Sequence, residues 1–257
     1  MVWIVAALLM LFLALPLVAL VWRGLEAGQG ISGETLGTLR QALTLSFFTS
    51  AVSLLVIVTF GTPLAYLLAR TSFRGRRLIE TLVDLPIVLP PAVAGIALLV
   101  AFGRRGVLGS FLGSLGITVG FTTTAVVIAQ IFVAVPFFVR AARSGFVRVD
   151  RDLETAAASL GASPGVVFWR VTFPIARPAL LAGAVLAWAR AMGEFGATIM
   201  FAGNYPGVTQ TMPLAIYGRF GAGDLSSALL LSLVLLASSL LVLIGVRSLD
   251  SRQDPLS

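Results

Sequence analysis

Residues 2–22 read VWIVAALLMLFLALPLVALVW, without one charged side chain, and five more apolar stretches of comparable length follow. A bilayer core about 30 Å thick takes about 20 apolar residues per helical span. Backbone polar groups in hydrocarbon must be bonded internally, so only helices and closed barrels remain open to such a chain. Barrel strands alternate apolar and polar residues over about 10 positions, and no such alternation is present. The chain reads as an all-α integral membrane protein. Composition agrees: 58% of its 257 residues are hydrophobic and 11% are charged, against about a quarter charged in soluble domains.

Six spans are predicted, at 2–22, 41–69, 79–102, 120–139, 179–202 and 225–246. The first has no basic amino end and no A-x-A cleavage pattern, so it reads as a retained span rather than a removed signal. Gly61, Thr62 and Pro63 predict a kink in the second. Pro86, Pro90 and Pro91 predict that the third is broken or strongly bent, which is tolerated where neighbouring groups satisfy the freed backbone. Glycine-rich loops are expected at 23–39 and 103–119, the latter with room for one helical turn, and a further loop at 203–224. The segment 140–178 is the longest hydrophilic one. It lies on the same side as the basic loop 70–77 and the tail, and these together carry twelve arginines. The opposite loops carry five, and Arg190 falls inside a span. Basic residues accumulate on the cytosolic side, so both termini and 140–178 are placed there, in a multi-pass protein of the cell membrane. The formal charge of +7 follows from this bias and implies no nucleic acid.

Absences narrow the chemistry. All eighteen basic residues are arginine, and there is no His and no Cys. A phosphate-binding P-loop uses a lysine, so no ordinary ATPase site is expected here. No His–Cys metal cluster, thiolate nucleophile or Ser–His dyad is available either. No catalytic residue and no metal site are assigned.

The segment DLETAAASLGASPGVVFWRVTFP, 152–174, is helical in pattern but too polar and too interrupted to span a bilayer. Asp150 is placed to cap a helix whose first turn holds Asp152 and Glu154, acidic groups favoured at the positive helix end. Thr155 to Leu160 is compact and alanine-rich, so another surface can approach closely. Gly161 is placed to end the helix in a left-handed conformation, and Ser163-Pro164 to open a second one. Val167, Phe168 and Val171 form an apolar face there, Arg170 points elsewhere, and Pro174 is expected to stop the helix. Two uses fit: a lever for a cytosolic partner, or an amphipathic connector resting on lipid.

This pattern resembles the EAA loop of ABC-importer permeases: Thr155-Ala156-Ala157, three residues, Gly161, nine residues, then Val171-Thr172-Phe173-Pro174. The acidic residue of the family's triplet is Thr155 here, with Glu154 one place earlier. The resemblance implies that Glu154, Thr155, Ala156, Ala157, Leu160, Gly161, Ala162 and Ser163 dock into a separate ATP-hydrolysing subunit.

Span five places Arg190 and Glu194 at membrane depth, where ionisable groups are costly and face a bundle interior or a water-filled path. Their i,i+4 spacing predicts an ion pair on one helix face. It serves either to fix the span against its neighbours or to line or gate a path for an anion. Thr198 and Gln130 are further candidates for that path, as are Thr122, Thr123 and Thr124. The run RAMGEFGATIMFAGN and the following TQTMPLAIY, 209–217, are similar to molybdate/tungstate permeases of the ABC importers, with sulfate permeases as near relatives.

That resemblance implies the fold of a type I ABC-importer permease: six transmembrane helices with a cytosolic coupling-helix loop and no soluble domain. It implies a homodimer of this chain, two copies of a cytosolic ABC ATPase carrying ATP and Mg, and one extracytoplasmic oxyanion-binding protein. No cofactor is expected in the chain itself. A sulfate/thiosulfate permease is the alternative within the class. A secondary transporter or channel driven by an ion gradient is the alternative outside it.

Overall fold

The computed structural model describes residues 2–27 and 33–250, and every regular element among them is helical. Five helices are long and apolar enough to cross a membrane: α1 (Val2–Ala27), α2 (Gly33–Arg70), α6 (Thr123–Arg148), α9 (Phe173–Met192, continuous with the helical turns before it) and α12 (Leu225–Asp250). A sixth span is available if α3 (Arg76–Val88) and α4 (Pro91–Phe102) count together. These two meet at a bend of 119°. Leu89 is extended there, and Pro90 is the N-cap residue of α4 with Pro91 behind it. The break predicted from the three prolines is therefore present, and it falls at the Pro90-Pro91 pair, while Pro86 stays inside α3.

The shorter elements are α5 (Gly109–Ser114), α7 (Arg151–Ser159), α8 (Pro164–Val167), α10 (Gly196–Phe201) and α11 (Met212–Gly221). A π-helical turn at Phe168–Thr172 joins α8 to α9.

Several boundaries differ from those predicted. Helix α1 runs to Ala27 and α2 starts at Gly33, so much of the expected 23–39 loop is helical; residues 28–32 lie outside the described ones. Helix α6 continues past residue 139 to Arg148 and takes up the first part of the expected 140–178 loop. The expected loop at 203–224 contains α11.

Pro174 does not stop a helix. It sits in the first turn of α9, where the missing N–H costs nothing. The π turn precedes it: the Phe173 N–H donates to the Phe168 carbonyl, one residue further back than in an α-helix. The fifth span is therefore shifted. It ends at Met192, and the chain unwinds at Gly193–Phe195 before α10.

The described residues form two compact units. One contains α1, the start of α2 up to Ser46, α11 and most of α12. Its small core is Ala42, Met212, Ala215 and Leu231. The Ser46 hydroxyl accepts from the Met212 N–H at 2.7 Å, and Arg219 pairs with Glu34 at 2.8 Å.

The other unit, from Phe47 to Gly203, holds the remaining elements. Its core joins Ile57 and Leu68 of α2, Phe138 and Phe146 of α6, and Leu180 and Ala187 of α9. Small residues bring α6 and α9 close: a Cβ on Gly145 would lie 2.6 Å from Ala179 Cβ, and one on Gly183 would lie 2.8 Å from Ala141 Cβ. In lipid no hydrophobic force drives helices together, so such backbone proximity carries much of the packing.

Candidate functional site

Helix α7 is built as its sequence demands. The Asp150 carboxylate accepts from the Asp152 N–H at 2.9 Å, and Asp152 and Glu154 occupy the first turn. At the other end Gly161 has φ +87°. The Gly161 N–H donates to Ala158 C=O and the Ala162 N–H to Ala157 C=O. These are the two bonds that close a helix around a left-handed residue. Ser163 then stands at the N-cap position of α8 with Pro164 next, although its hydroxyl makes no capping bond there.

The faces of α7 are unequal. Leu160 is 90% exposed and Leu153 50%. Thr155, Ala156, Gly161 and Ser163 are exposed, whereas Ala157 and Ala162 are half-buried. The Thr155 hydroxyl is engaged locally, donating to Arg151 C=O. Leu153, Ala156 and Leu160 follow helical spacing and leave one apolar, small-residue face uncovered within this chain.

Glu154 points the other way. Its Oε1 accepts from Arg70 Nη2 at 2.9 Å and from the Thr172 hydroxyl at 2.5 Å. Arg70, the last residue of α2, also donates to Val149 C=O at 3.0 Å. Nothing local in the sequence relates Arg70 to Glu154, so this tie was missed there. The aromatic side chains below complete the anchorage: the Phe168 ring meets Tyr66 edge-on at 5.1 Å, and Tyr66 meets Phe146 at 5.4 Å. Pairs of this kind contribute about 0.5–1.5 kcal/mol each beyond burial.

The second cluster lies where α9 gives way to α10. Arg190 Nη1 pairs with Glu194 Oε2 at 2.7 Å. The other oxygen of Glu194 accepts from the Ala197 N–H at 2.7 Å. Glu194 is 1% exposed and the Arg190 side chain 28%. Thr198, in the first turn of α10, is fully buried and its hydroxyl has no hydrogen-bond partner among the described residues. Helix α10 is pressed against α4: a Cβ on Gly196 would lie 2.4 Å from Pro91 Cβ.

Gln130 is not brought to this cluster by any recorded bond. It is 1% exposed; its amide nitrogen donates to Thr49 and its oxygen accepts from Ser53, both on α2. Of the other polar candidates, the Thr122 hydroxyl accepts from the Ala125 N–H and caps α6.

Comparison with known proteins bears on the chain as a whole. Residues 61–255 match the family described as binding-protein-dependent transport system inner membrane component. The molybdenum transport system permease protein ModB of Mycobacterium tuberculosis is 45% identical over 91% of this chain and 88% of its own length. The probable sulfate transport system permease protein cysT of Chlorokybus atmophyticus is 37% identical over 95% of this chain and 86% of its own. Among solved structures, a bacterial ABC transporter involved in the import of the acidic polysaccharide alginate superposes with a TM-score of 0.74 at 17% identity. The match covers 98% of this chain and 96% of that one. At that identity the likeness speaks for the fold alone.

Proposed function

The chain belongs to the family of inner membrane components of binding-protein-dependent transport systems, and from that membership we propose that it is the permease subunit of an ATP-driven importer of molybdate and tungstate. The observation that carries the mechanical half of this reading is α7: a short capped helix with an uncovered small-residue face, fixed to the ends of α2 and α9. Such an element takes up force from a partner and passes it to spans. The substrate half is supported by the 45% identity to a molybdenum permease.

In this reading α7 faces the cytosol and seats in a cleft of an ABC ATPase. Two permease copies stand with two ATPase copies and one extracytoplasmic binding protein that delivers the oxyanion. ATP and Mg are held by the ATPase, since this chain lacks the lysine of a P-loop. The docking set is Leu153, Ala156, Leu160, Gly161 and Ser163, while Glu154 holds the helix from behind. Closure of the ATPase pair drags α7 and opens the bundle outward.

The unwound segment 193–195 is the proposed gate. A bare arginine in a path for an anion would bind its cargo too tightly to release it. Glu194 neutralises Arg190 in the closed state, and the unpartnered hydroxyl of Thr198 is the polar group available beside it. Gln130, satisfied on both sides by α2, is assigned to helix packing.

The test is uptake by the reconstituted complex with labelled molybdate, competed in turn by tungstate and sulfate. Competition by tungstate at micromolar concentration, with sulfate inert, supports the proposal. Preferential competition by sulfate would transfer the chain to the second reading, which the 37% identity to a sulfate permease favours.

A further inference from the structure

One carboxylate oxygen, Glu154 Oε1, takes two donors from two different elements: Arg70 at the end of α2 and Thr172 in the π turn before α9. The group is well shielded, with the Arg70 side chain 9% exposed and that of Glu154 19%. Arg70 reaches further, to the carbonyl of Val149 at the joint between α6 and α7, and its own carbonyl accepts from Arg151 at 3.4 Å. Four helices thus converge on one ion pair. The π turn brings Thr172 there, and that residue is fully buried.

We propose that Arg70, Glu154 and Thr172 form a latch that makes α7 and the inner ends of α2 and α9 move as one body, so that it sets how much transport each ATP drives. The inference rests on the proposed function. Charge-assisted hydrogen bonds in a shielded site are short and directional. A helix held only by its apolar underside can slide when pulled, whereas one held also by a carboxylate between two spans cannot move without them. The three are positioning residues: none faces the docking surface, and their effect passes through α7. Glu154 is therefore separated from the docking contacts that Leu153 and Ala156 offer on the exposed side.

The experiment measures molybdate transported per ATP hydrolysed in proteoliposomes containing the full complex. Wild type is compared with Glu154→Gln, Arg70→Gln, the reversal Arg70→Glu/Glu154→Arg, and the milder Thr172→Val. A broken latch lowers the ratio about fivefold or more in the first two, in the range usual for coupling between sites. ATPase stoichiometry and hydrolysis are retained. The reversal recovers most of the ratio, and Thr172→Val lowers it by less than either single charge change. A purely structural role would reduce the yield of complex and leave the ratio of what assembles unchanged, and that result overturns the latch. Failure of Glu154→Gln to copurify with the ATPase while Thr172→Val keeps a wild-type ratio also overturns it, since Glu154 would then be a docking residue. If wild type itself moves no molybdate on ATP, the proposed function fails, a result separate from either of these.

Discussion

Glu194 holds Arg190 at 2.7 Å from beyond the end of the helix that carries Arg190. The i,i+4 spacing foretold the pair, but not its geometry. Helix α9 ends at Met192, and Gly193 closes it by donating to Ala189 C=O. Glu194 then lies in the unwound segment, where one oxygen faces Arg190 and the other the first turn of α10. The pair therefore bridges a break. Unwound backbone inside a packed bundle needs its polar groups bonded internally, and Glu194, 1% exposed, supplies one such bond across the break.

Removing Arg190 leaves a buried carboxylate without its counter-ion, a change that costs about 3–5 kcal/mol in such settings. Arg190→Ala is expected to lower the yield of complex and to cut uptake. Arg190→Ala/Glu194→Gln restores the yield but not the uptake, because the gate has lost its charge. Normal uptake by the double variant, measured per assembled complex, removes the pair from the gate.

The packing of α4 on α10 leaves no room for a methyl group. A Cβ on Gly95 would lie 2.6 Å from the Ala197 carbonyl oxygen. Gly95→Ala and Gly196→Ala should each destabilise the permease by about 1–3 kcal/mol, seen as a lower thermal midpoint in detergent. Gly113→Ala, where no atom lies within 4 Å of the added carbon, is the control and should keep the midpoint or raise it slightly. Equal midpoints for all variants would contradict the packing.

Gln130→Leu tests whether a buried polar group in the first third of α6 belongs to a path or to a seam. Its bonds to Thr49 and Ser53 predict a loss of about 0.6–2 kcal/mol of stability, with uptake per assembled complex unchanged. Altered competition between molybdate and sulfate in this variant would place Gln130 on the path.

The face of α7 gives the cleanest single changes. The side chains of Ala156 and Leu160 are exposed and have no polar atom to bond, so Ala156→Arg and Leu160→Asp should leave the spans inserted while abolishing copurification with the ATPase. Gly161→Leu should do the same, with added strain at φ +87° of about 1–2 kcal/mol. Copurification at normal yield in all three would remove α7 from the interface.

How much of this was legible in sequence depended on range. Local rules read correctly: the Asp150 cap, the left-handed Gly161, Ser163-Pro164 opening α8, and the break at Pro90-Pro91 all follow from backbone chemistry within a few residues. Helix ends did not read well, because a run of charge such as 140–148 marks where the membrane stops and not where the helix stops. Pro174 was misread for a related reason. A proline ends a helix only if its missing N–H is needed, and the π turn ahead of it removes that need. The break at 193–195 carried a signal, Gly193 and Gly196 flanking Glu194, but apolar continuity on both sides concealed it. The tie of Arg70 to Glu154 had no local signal: the two residues meet only once α2, α6 and α9 have packed.

The central claim is that force from ATP turnover enters through α7 on the cytosolic side. The chain contains no cysteine, so Leu160→Cys creates a single reactive probe at a position 90% exposed, at the end of α7. That variant should react with a membrane-impermeant maleimide in inside-out vesicles but not in intact cells. With a short bifunctional reagent it should crosslink to the nucleotide-hydrolysing subunit. Labelling in intact cells, or a crosslink that never captures that subunit in an assembled, transporting complex, would contradict the account.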